Sequence, residues 1–434
     1  MILNDASSLG SSPPMGWNSW DCFGNSVTEA EVLANAQFIA QHMSHVGWDT
    51  VVVDVQWHDP DATGTEYNPR AALRLDPYGR PLPAENRFPS AAGGAGFAPL
   101  ADRVHELGLK FGLHIMRGIP RLAVERGLPI AGTSLTASDI ADRSSTCDWN
   151  TDNYGVDHTR PGAGRYYDSL IQLFADWGVD FVKADDMIGP FHAEEVTAFA
   201  AAVKHSPRPM ILSLSPGRSL STVHVDTLKR SAHMWRISAD LWDRWPDVEA
   251  QFERLAQWAP DAEAGGWPDA DMIPLGHIGI RAEEGPDRMS RLTPAEQRTL
   301  MTLWCFAKSP LMVGADLPTS GREVVDLLTD EDLLDVHRYG TNQRQLLREA
   351  GVVVWAADNS RDASRHLAVF NLADRVSVYA VPFTSLGIEP GQLEGVTDPV
   401  WGKQWRGELA AHACTTIRVP HPTRTAVSVD TMTA

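Results

Sequence analysis

The chain is poor in cysteine and lacks long apolar runs. Its 434 residues include four cysteines, at positions 22, 147, 305 and 414, and no Cys-x-x-Cys pair. No apolar stretch approaches the roughly 20 residues that span a bilayer. The first ten residues lack the basic and apolar segments of a secretory signal, and no Asn-x-Ser/Thr acceptor occurs. These absences predict a cytoplasmic protein with free thiols and no membrane span.

Positive charge is also scarce. The chain carries 37 Lys and Arg residues against 56 Asp and Glu residues, a net charge of −19, and contains no run of basic residues. Because such a surface repels phosphate backbones and anionic lipids, we expect neither nucleic acid nor membrane as a partner. The 15 tryptophans are by contrast many. Indole rings fill protein cores, but they also stack on the apolar faces of neutral sugars, so a carbohydrate is the expected partner.

The motifs of three common enzyme classes are missing. The chain has no His-Glu-x-x-His or similar ligand spacing, no Gly-rich turn after a strand and no Gly-x-Ser-x-Gly. These motifs mark metal sites, phosphate sites and serine hydrolases respectively. We therefore expect no metal and no cofactor, and look for the chemistry among the carboxylates.

The order of helices and strands predicts a parallel sheet. A helix, a glycine and an apolar strand follow one another at 45–54, 106–114 and 176–185. Further strands are predicted at 15–20, 209–215, 234–240, 267–272 and 310–316, and Thr-x-x-Glu capping boxes at Thr28 and Thr293 begin two helices. This alternation predicts an α/β fold, a (β/α)8 TIM barrel over residues 1–340. A doubly wound sheet is the alternative.

The pattern changes after Gly340. Short, partly alternating strands separated by turn residues are predicted at 352–356, 366–371, 376–381 and 415–419. They predict a C-terminal antiparallel β-sandwich domain over residues 341–434. It shows no catalytic cluster, and whether it supports a homo-oligomer is left open.

The end of one buried strand is the first candidate for chemistry. Gly178 ends a helix, residues 179–182 are apolar or β-branched, and Lys183 and Asp185 then share one face because side chains alternate along a strand. A buried lysine and aspartate need a partner or a ligand. Active sites of β/α barrels lie at this end of the strands. A structural ion pair that caps the strand is the alternative.

A second carboxylate, Asp240, ends the strand predicted at 234–240. Arg236 shares its face and either binds the substrate or forms an ion pair. Asp185 and Asp240 are 240 − 185 = 55 residues apart, about two β/α units, so they can face each other across the mouth of a barrel. We expect Asp185 to be ionised beside Lys183, and Asp240 to stay protonated because it lies among tryptophans and away from a lysine. Such a pair of carboxyl groups predicts a glycosidase.

Seven segments, in order, resemble the motifs of the α-galactosidase-like retaining glycosidases, glycoside hydrolase family 27 of clan D. They are Met15–Trp20, Val53–Trp57, Arg87–Pro89 with Leu100–Gly112, Trp177–Asp185, Trp235–Asp240, Gly265–Met272 and Ser309–Leu317. The resemblance covers roughly residues 13–345, with a similar β-sandwich after them. It implies a (β/α)8 barrel and a hydrolase that cleaves terminal α-D-galactosyl residues by double displacement with net retention.

The resemblance also implies roles for single residues. It places the nucleophile at Asp185 and the acid/base at Asp240. It places substrate-binding groups at Trp20, Asp54, Lys183, Arg236 and Asp271. We also expect His114 and Ser215 at the substrate, where they replace other residues of the family pattern. For Asp269 we favour the interpretation that it holds loops together.

Departures from the family pattern bear on specificity. Relatives often carry paired aspartates after the second strand, where this chain has Asp54–Val55, so one acceptor for sugar hydroxyls is missing. His114 stands where relatives often have tyrosine. Ser215 replaces a glutamate near the sugar 2-position and leaves room for an acetamido group. Met187 replaces a cysteine, so we expect Cys147 to lack its disulfide partner.

The segment Arg117–Arg160 is longer than most loops without a function. We interpret it as a lid or as the subsite beyond the cleaved bond, built from Arg117, Asp148 and Trp149. A packing or oligomer contact is the alternative.

Three other functions remain open from the sequence. The same mechanism could serve α-N-acetylgalactosaminides or β-L-arabinopyranosides, which Ser215 and Val55 favour. A non-catalytic sugar-binding barrel would bind without turnover. A TIM-barrel metalloenzyme would lose its activity in EDTA.

Overall fold

The computed structural model describes residues 9–382 and 404–419, apart from positions 65, 70 and 363. The chain divides into two compact units. The first comprises residues 1–254, 261–291 and 309–329, and the second residues 255–260, 292–308 and 330–434. The domain boundary expected at position 340 stays a prediction.

The strands of the described part of the chain are numbered in chain order. They are β1 Met15–Asn18, β2 Thr50–Val53, β3 Lys110–Met116, β4 Ile119–Pro120, β5 Ala141–Thr146, β6 Asn153–Val156, β7 Phe181–Asp185, β8 Ile211–Leu214, β9 Met234–Arg236, β10 Trp267–Asp269, β11 His277–Ile278, β12 Arg288–Met289, β13 Leu311–Val313, β14 Gly340–Glu349, β15 Val352–Asn359, β16 Arg365–Asn371, β17 Ser377–Pro382, β18 Gln404–Leu409 and β19 Cys414–Val419.

The α-helices are numbered in the same way. They are α1 Trp20–Phe23, α2 Glu29–His42, α3 Ala98–Glu106, α4 Arg121–Arg126, α5 Ala137–Ile140, α6 Ala163–Asp176, α7 Ala193–His205, α8 Val225–Ser231, α9 Trp245–Trp258, α10 Pro294–Ala307, α11 Arg322–Leu328 and α12 Glu331–Tyr339.

The first unit is built on a parallel sheet that curls into a barrel. Its strands follow the order β10-β9-β8-β7-β3-β2-β1-β13, and every neighbouring pair is parallel. The two ends meet after β10, where Ile273 forms a parallel bridge with Val313. Ile273 N donates to Met312 O at 2.7 Å, and Gly314 N donates to Ile273 O at 3.1 Å. The predicted (β/α)8 barrel is confirmed.

Local sequence signals explain where the elements begin and end. The capping boxes at Thr28 and Thr293 are both present. Gly47 and Gly178 take positive φ angles of 97° and 80°, the left-handed conformation that stops a helix at little cost for glycine. Each predicted barrel strand exists, although most are shorter than predicted.

The interior of the barrel is apolar along the strands and becomes polar at their carboxyl ends. Side chains of the strands and of the residues that directly follow them form one buried cluster, which includes Trp20, Val55, Met116, Phe181, Met234, Met272 and Met312. A void of about 20 Å³ lies beside it, lined in part by Lys183, Arg236 and Asp271. The apolar layer therefore supports charged side chains at the carboxyl ends of the strands.

The long segment 117–160 carries structure of its own. It contains α4 and α5 and a small antiparallel sheet in the order β4-β6-β5. Asn153 Nδ2 donates to Arg117 O at 2.9 Å, which ties β6 to the end of β3. The segment is therefore an ordered insertion that follows β3.

The second unit contains the predicted antiparallel strands. They form a four-stranded sheet in the order β14-β15-β16-β19 and a pair, β17 with β18. The sequence analysis missed β14, whose residues are mostly polar, and β18. Buried valines and leucines of β15 and β16, including Val354 and Val369, form the apolar face of the larger sheet.

The four cysteines are free thiols, as expected for Cys147. No helix within the described ranges is both long and apolar enough to cross a bilayer.

Candidate active site

A cavity of about 500 Å³ opens at the carboxyl ends of the barrel strands. Its lining residues are Trp20, Asp54, Tyr67, Asp148, Trp149, Lys183, Asp185, Gly189, Pro216, Arg218, Ala239, Asp240 and Glu283. Both predicted catalytic carboxylates are among them, together with three of the seven predicted substrate-binding residues, Trp20, Asp54 and Lys183. The other four lie behind this lining. The roles assigned to all nine stay predictions.

Asp185 is the last residue of β7 and is buried. His114 Nε2 on the neighbouring strand β3 lies 3.0 Å from Asp185 Oδ2, and Asp186 N donates to Asp185 Oδ1 at 2.8 Å. Burial acts to raise the pKa of Asp185, but the hydrogen bond and charge of His114 and the charge of Lys183 outweigh it and hold the pKa well below its usual range. The carboxylate is thus ionised and oriented, as a nucleophile requires.

Lys183 does not contact Asp185 as its ion-pair partner. We expected Lys183 to help keep Asp185 ionised, and its charge does lower the pKa of Asp185. Its hydrogen bond, however, goes to Asp54, because Lys183 Nζ donates to Asp54 Oδ2 at 2.9 Å. Asn18 Nδ2 donates to the same oxygen at 2.7 Å. β7 and β2 flank β3 in the sheet, so a lysine on β7 can reach the residue that follows β2. Lys183 and Asp54 form a buried, oriented pair that faces the cavity.

Asp240 approaches the cavity from a loop, and 43% of its side chain is exposed. The prediction of a strand over 234–240 is wrong beyond Arg236. Ile237 N still donates to Asp269 O of the neighbouring strand β10, but residues 237–240 lie outside the strand. Arg236 Nη2 lies 3.1 Å from Asp240 Oδ1. We expected Asp240 to lie away from lysine, but an arginine pairs with it instead.

Arg236 is shared between two carboxylates. Its Nη1 lies 2.7 Å from Asp271 Oδ1, and Leu241 N donates to Asp271 Oδ2 at 2.6 Å. Burial raises the pKa of Asp271 to about 7, against the lowering effect of Arg236. Asp271 therefore anchors both Arg236 and the loop that carries Asp240. Of the two interpretations left open for Arg236, substrate binding or an ion pair, the structure shows ion pairs with Asp240 and Asp271.

His114 and Ser215 are both buried below the cavity lining. His114 contacts the cavity residue Asp185 through its Nε2 atom. Ser215 is followed by Pro216, and it is Pro216 that lines the cavity. We expected Ser215 to leave room beside the sugar, but it does not line the cavity. Its Oγ has no hydrogen-bond partner among the described residues.

The sequence analysis missed Tyr67, Arg218 and Glu283. Tyr67 stacks on Trp20 with ring centroids 5.7 Å apart and an interplanar angle of 17°. It lies in the long loop after β2, and an aromatic residue in a loop at the carboxyl end of a barrel strand was the available signal. Arg218 lies in the loop that follows β8 and Glu283 in the loop that follows β11, where no pattern in the sequence marked them.

Arg117 is buried in an ion-pair cluster and does not line the cavity, so its predicted place in a lid or outer subsite is wrong. Its Nη2 donates to Asp186 Oδ2 at 2.7 Å, and its Nη1 lies 3.3 Å from Glu195 Oε1. Glu195 also accepts from Tyr167 Oη at 2.5 Å and from Val156 N at 2.8 Å. The cluster joins β3, the insertion and α7 directly behind Asp185.

Replacing Glu195 should destabilise the fold strongly. Glu195→Ala leaves Arg117 with one carboxylate partner fewer and Tyr167 Oη without its acceptor. Breaking a buried ion pair in this way costs roughly 3–5 kcal/mol. The matched control is Glu194→Ala, because Glu194 is exposed on the same helix and such surface changes stay within roughly 0.5 kcal/mol. Urea unfolding followed by tryptophan fluorescence measures both, and equal midpoints for the two variants would contradict the account.

Comparison with known proteins gives consistent matches. A family model described as Alpha galactosidase A matches residues 157–338. The α-galactosidase of Oryza sativa subsp. japonica is 26% identical over 421 residues, which cover 94% of this chain and 84% of that protein.

Two solved structures are more similar. A family 27 β-L-arabinopyranosidase from Geobacillus stearothermophilus, in complex with arabinose, is 45% identical with a TM-score of 0.90, and the match covers 97% of this chain and 100% of that one. A Bacillus halodurans protein proposed to be an α-N-acetylgalactosaminidase is 42% identical with a TM-score of 0.82, and the match covers 94% of this chain and 97% of that one.

Proposed function

Since this chain belongs to glycoside hydrolase family 27 and is a glycoside hydrolase, we propose that it cleaves β-L-arabinopyranosides in preference to α-D-galactosides, with net retention. The two glycones have the same ring configuration, and arabinopyranose lacks the hydroxymethyl group of galactose. Val55 is the observation that carries this preference.

The proposed reaction uses Asp185 and Asp240 in two displacements. In the first, a carboxylate oxygen of Asp185 attacks the anomeric carbon while Asp240 donates a proton to the leaving oxygen. The products are a covalent glycosyl-enzyme and the free alcohol. In the second, Asp240 takes a proton from water, the water oxygen attacks the anomeric carbon, and Asp185 leaves as a carboxylate.

The remaining lining residues hold the sugar in place. Asp54 accepts from the ring hydroxyls while Lys183 donates to them, because both groups face the cavity and orient each other at 2.9 Å. Trp20 supplies an apolar surface for a ring face. Uncharged analogues of a sugar that lack one hydroxyl would leave one of these buried charges without its partner, which gives the site its selectivity.

Val55 stands where relatives of the family often carry the second aspartate of a pair, so the resemblance places the missing hydroxyl acceptor at this position, directly after the cavity residue Asp54. It is 1% exposed and packs in the apolar cluster with Trp20 and Met116. A galactose hydroxymethyl group directed at this cluster would lose its hydrogen bond to water without a replacement, at a cost of roughly 1–3 kcal/mol. Arabinopyranose has no such group and avoids this cost.

Exchange of Val55 tests the preference. Val55→Asp restores an acceptor and should raise the ratio of kcat/KM for the α-D-galactoside to that for the β-L-arabinopyranoside roughly ten-fold or more, since a hydrogen bond to a charged group contributes about 1.5–3 kcal/mol. The control is Val55→Ala, which adds space without an acceptor and should change the ratio less. Both 4-nitrophenyl glycosides are assayed at several concentrations.

Two results would contradict this proposal. One is a wild-type enzyme that hydrolyses the α-D-galactoside faster than the β-L-arabinopyranoside. The other is a folded Val55→Asp variant with the wild-type ratio. The α-D-galactoside is the second candidate substrate, favoured by the family model that matches residues 157–338.

A further inference from the structure

We propose that the outer part of the cavity is a subsite for the leaving group, and that it accepts a neutral sugar stacked on Trp149. This inference rests on the proposed function and names the class of substrate beyond the cleaved bond. The bound substrate is then an arabinopyranosyl oligosaccharide or glycan end. The residues that recognise its second ring are Trp149 and the charged groups of Asp148, Arg218 and Glu283.

Three aromatic rings follow one another from the floor of the cavity to its rim. Trp20 stacks on Tyr67 at 5.7 Å, and Tyr67 contacts Trp149 at 5.4 Å with an interplanar angle of 52°. The exposed fraction is 4% for Trp20 and 37% for Trp149, with Tyr67 half-buried between them. Trp149 therefore offers an open ring face next to the position that holds the first sugar.

The charged residues of the cavity divide into a paired inner group and an unpaired outer group. In the inner group Asp54 pairs with Lys183, Asp185 with His114 and Asp240 with Arg236. In the outer group Asp148, Arg218 and Glu283 line the same cavity. Within the described ranges these three form no hydrogen bond or ion pair with the protein, so their polar atoms are available to a ligand.

The backbone on either side of Trp149 is held in place. Asp152 N donates to Asn150 Oδ1 at 2.9 Å, and Arg121 N donates to Asp152 O at 2.8 Å. Gln56 Nε2 donates to both carboxylate oxygens of Asp152, at 3.0 and 3.2 Å. The loop between β5 and β6 is thus tied to α4 and to the residues after β2, and it presents Trp149 without a large loss of loop entropy on binding.

The chemistry of this outer group selects a neutral sugar. A flat aromatic ring binds the apolar face of a pyranose, while carboxylate and guanidinium groups bind its hydroxyls. A hydrocarbon leaving group would remove water from Asp148, Arg218 and Glu283 without replacing it, which is unfavourable. An anionic leaving group would face two carboxylates.

Trp149→Ala separates this subsite from the chemistry. One substrate is a disaccharide with a neutral sugar as leaving group, and the other is the glycosyl fluoride of the same glycone, whose leaving group is too small to touch Trp149. We expect Trp149→Ala to lower kcat/KM roughly ten-fold or more for the disaccharide and less than about two-fold for the fluoride. Trp149→Phe should recover most of the disaccharide activity.

A control variant at Tyr78 shows whether the loss is specific to Trp149. Tyr78→Ala removes a similarly exposed aromatic residue outside the cavity and should leave the hydrolysis of both substrates unchanged. Equal losses on both substrates in Trp149→Ala, or no loss on the disaccharide, would overturn the subsite. A wild-type enzyme that hydrolyses neither substrate would overturn the proposed function, and the subsite with it.

Discussion

Asp185→Asn is expected to lower kcat/KM by roughly 10⁴-fold or more, since removal of an enzymatic nucleophile leaves only binding and electrostatic effects. The asparagine amide has the size of the carboxylate it replaces, but it is a poor nucleophile. Asp185 lies at the end of β7 with His114 Nε2 at 3.0 Å, and asparagine can keep this contact. The loss should therefore occur without a comparable loss of stability, which thermal unfolding of the variant checks.

Two further variants make the Asp185 result specific. Asp176→Asn makes the same chemical change on the exposed end of α6 and should keep wild-type activity. Asp185→Ala opens space for a small anion, so added azide should restore turnover and yield a glycosyl azide of inverted configuration. An Asp185→Asn protein with substantial activity, purified free of wild type, would refute the assignment of the nucleophile.

Asp240→Asn is expected to affect substrates according to their leaving groups. General acid catalysis contributes about 10²–10⁴-fold, and a sugar leaving group needs the full contribution because its oxygen must be protonated. A fluoride needs little of it. We therefore expect a loss of that order for a disaccharide, a much smaller effect on bond cleavage in the glycosyl fluoride, and accumulation of the glycosyl-enzyme because water is no longer activated.

The Asp240 result is read from a burst of fluoride release. Pre-steady-state assays of Asp240→Asn should show a rapid burst followed by slow turnover. Added azide should speed the slow phase and give an azide with retained configuration. Equal losses for the fluoride and the disaccharide, with no burst, would show that Asp240 is not the acid/base. Asp176→Asn again serves as the matched control.

The fold could be predicted because its signals are local. Repeated helix, glycine and apolar strand units, together with the capping boxes at Thr28 and Thr293, correspond to the structure closely. Strand lengths were less accurate. β9 ends at Arg236 although the alternation continues to Asp240, because hydrogen bonding to the neighbouring strand β10 decides where a strand ends.

The candidate site was predictable only in part, because contacts between residues distant in the chain leave no local pattern in the sequence. Strand parity placed Lys183 and Asp185 on one face, and both line the cavity. It could not show that Lys183 pairs with Asp54 or that His114 contacts Asp185, because these partners are 129 and 71 residues away in the chain. Tyr67 and Glu283 reach the cavity from loops, whose paths follow from packing and not from periodicity.

Arg117 shows how a sequence position can mislead. An arginine directly after a barrel strand was interpreted as part of an outer subsite. It is instead 3% exposed and neutralised by Asp186 and Glu195. The two carboxylates come from other parts of the chain, so charge alone could not reveal whether this arginine faces the substrate or the interior.

Covalent trapping of the intermediate tests directly whether Asp185 is the nucleophile. A 2-deoxy-2-fluoro glycosyl fluoride of the preferred glycone slows both displacements and should leave the glycosyl group attached to the enzyme. Trypsin cleaves after Lys183 and Lys204, so the peptide 184–204 contains Asp185 and Asp186 but not Asp240. We expect one added glycosyl mass, located on Asp185 by fragmentation. A label on Asp186, Asp240 or another residue would contradict this assignment.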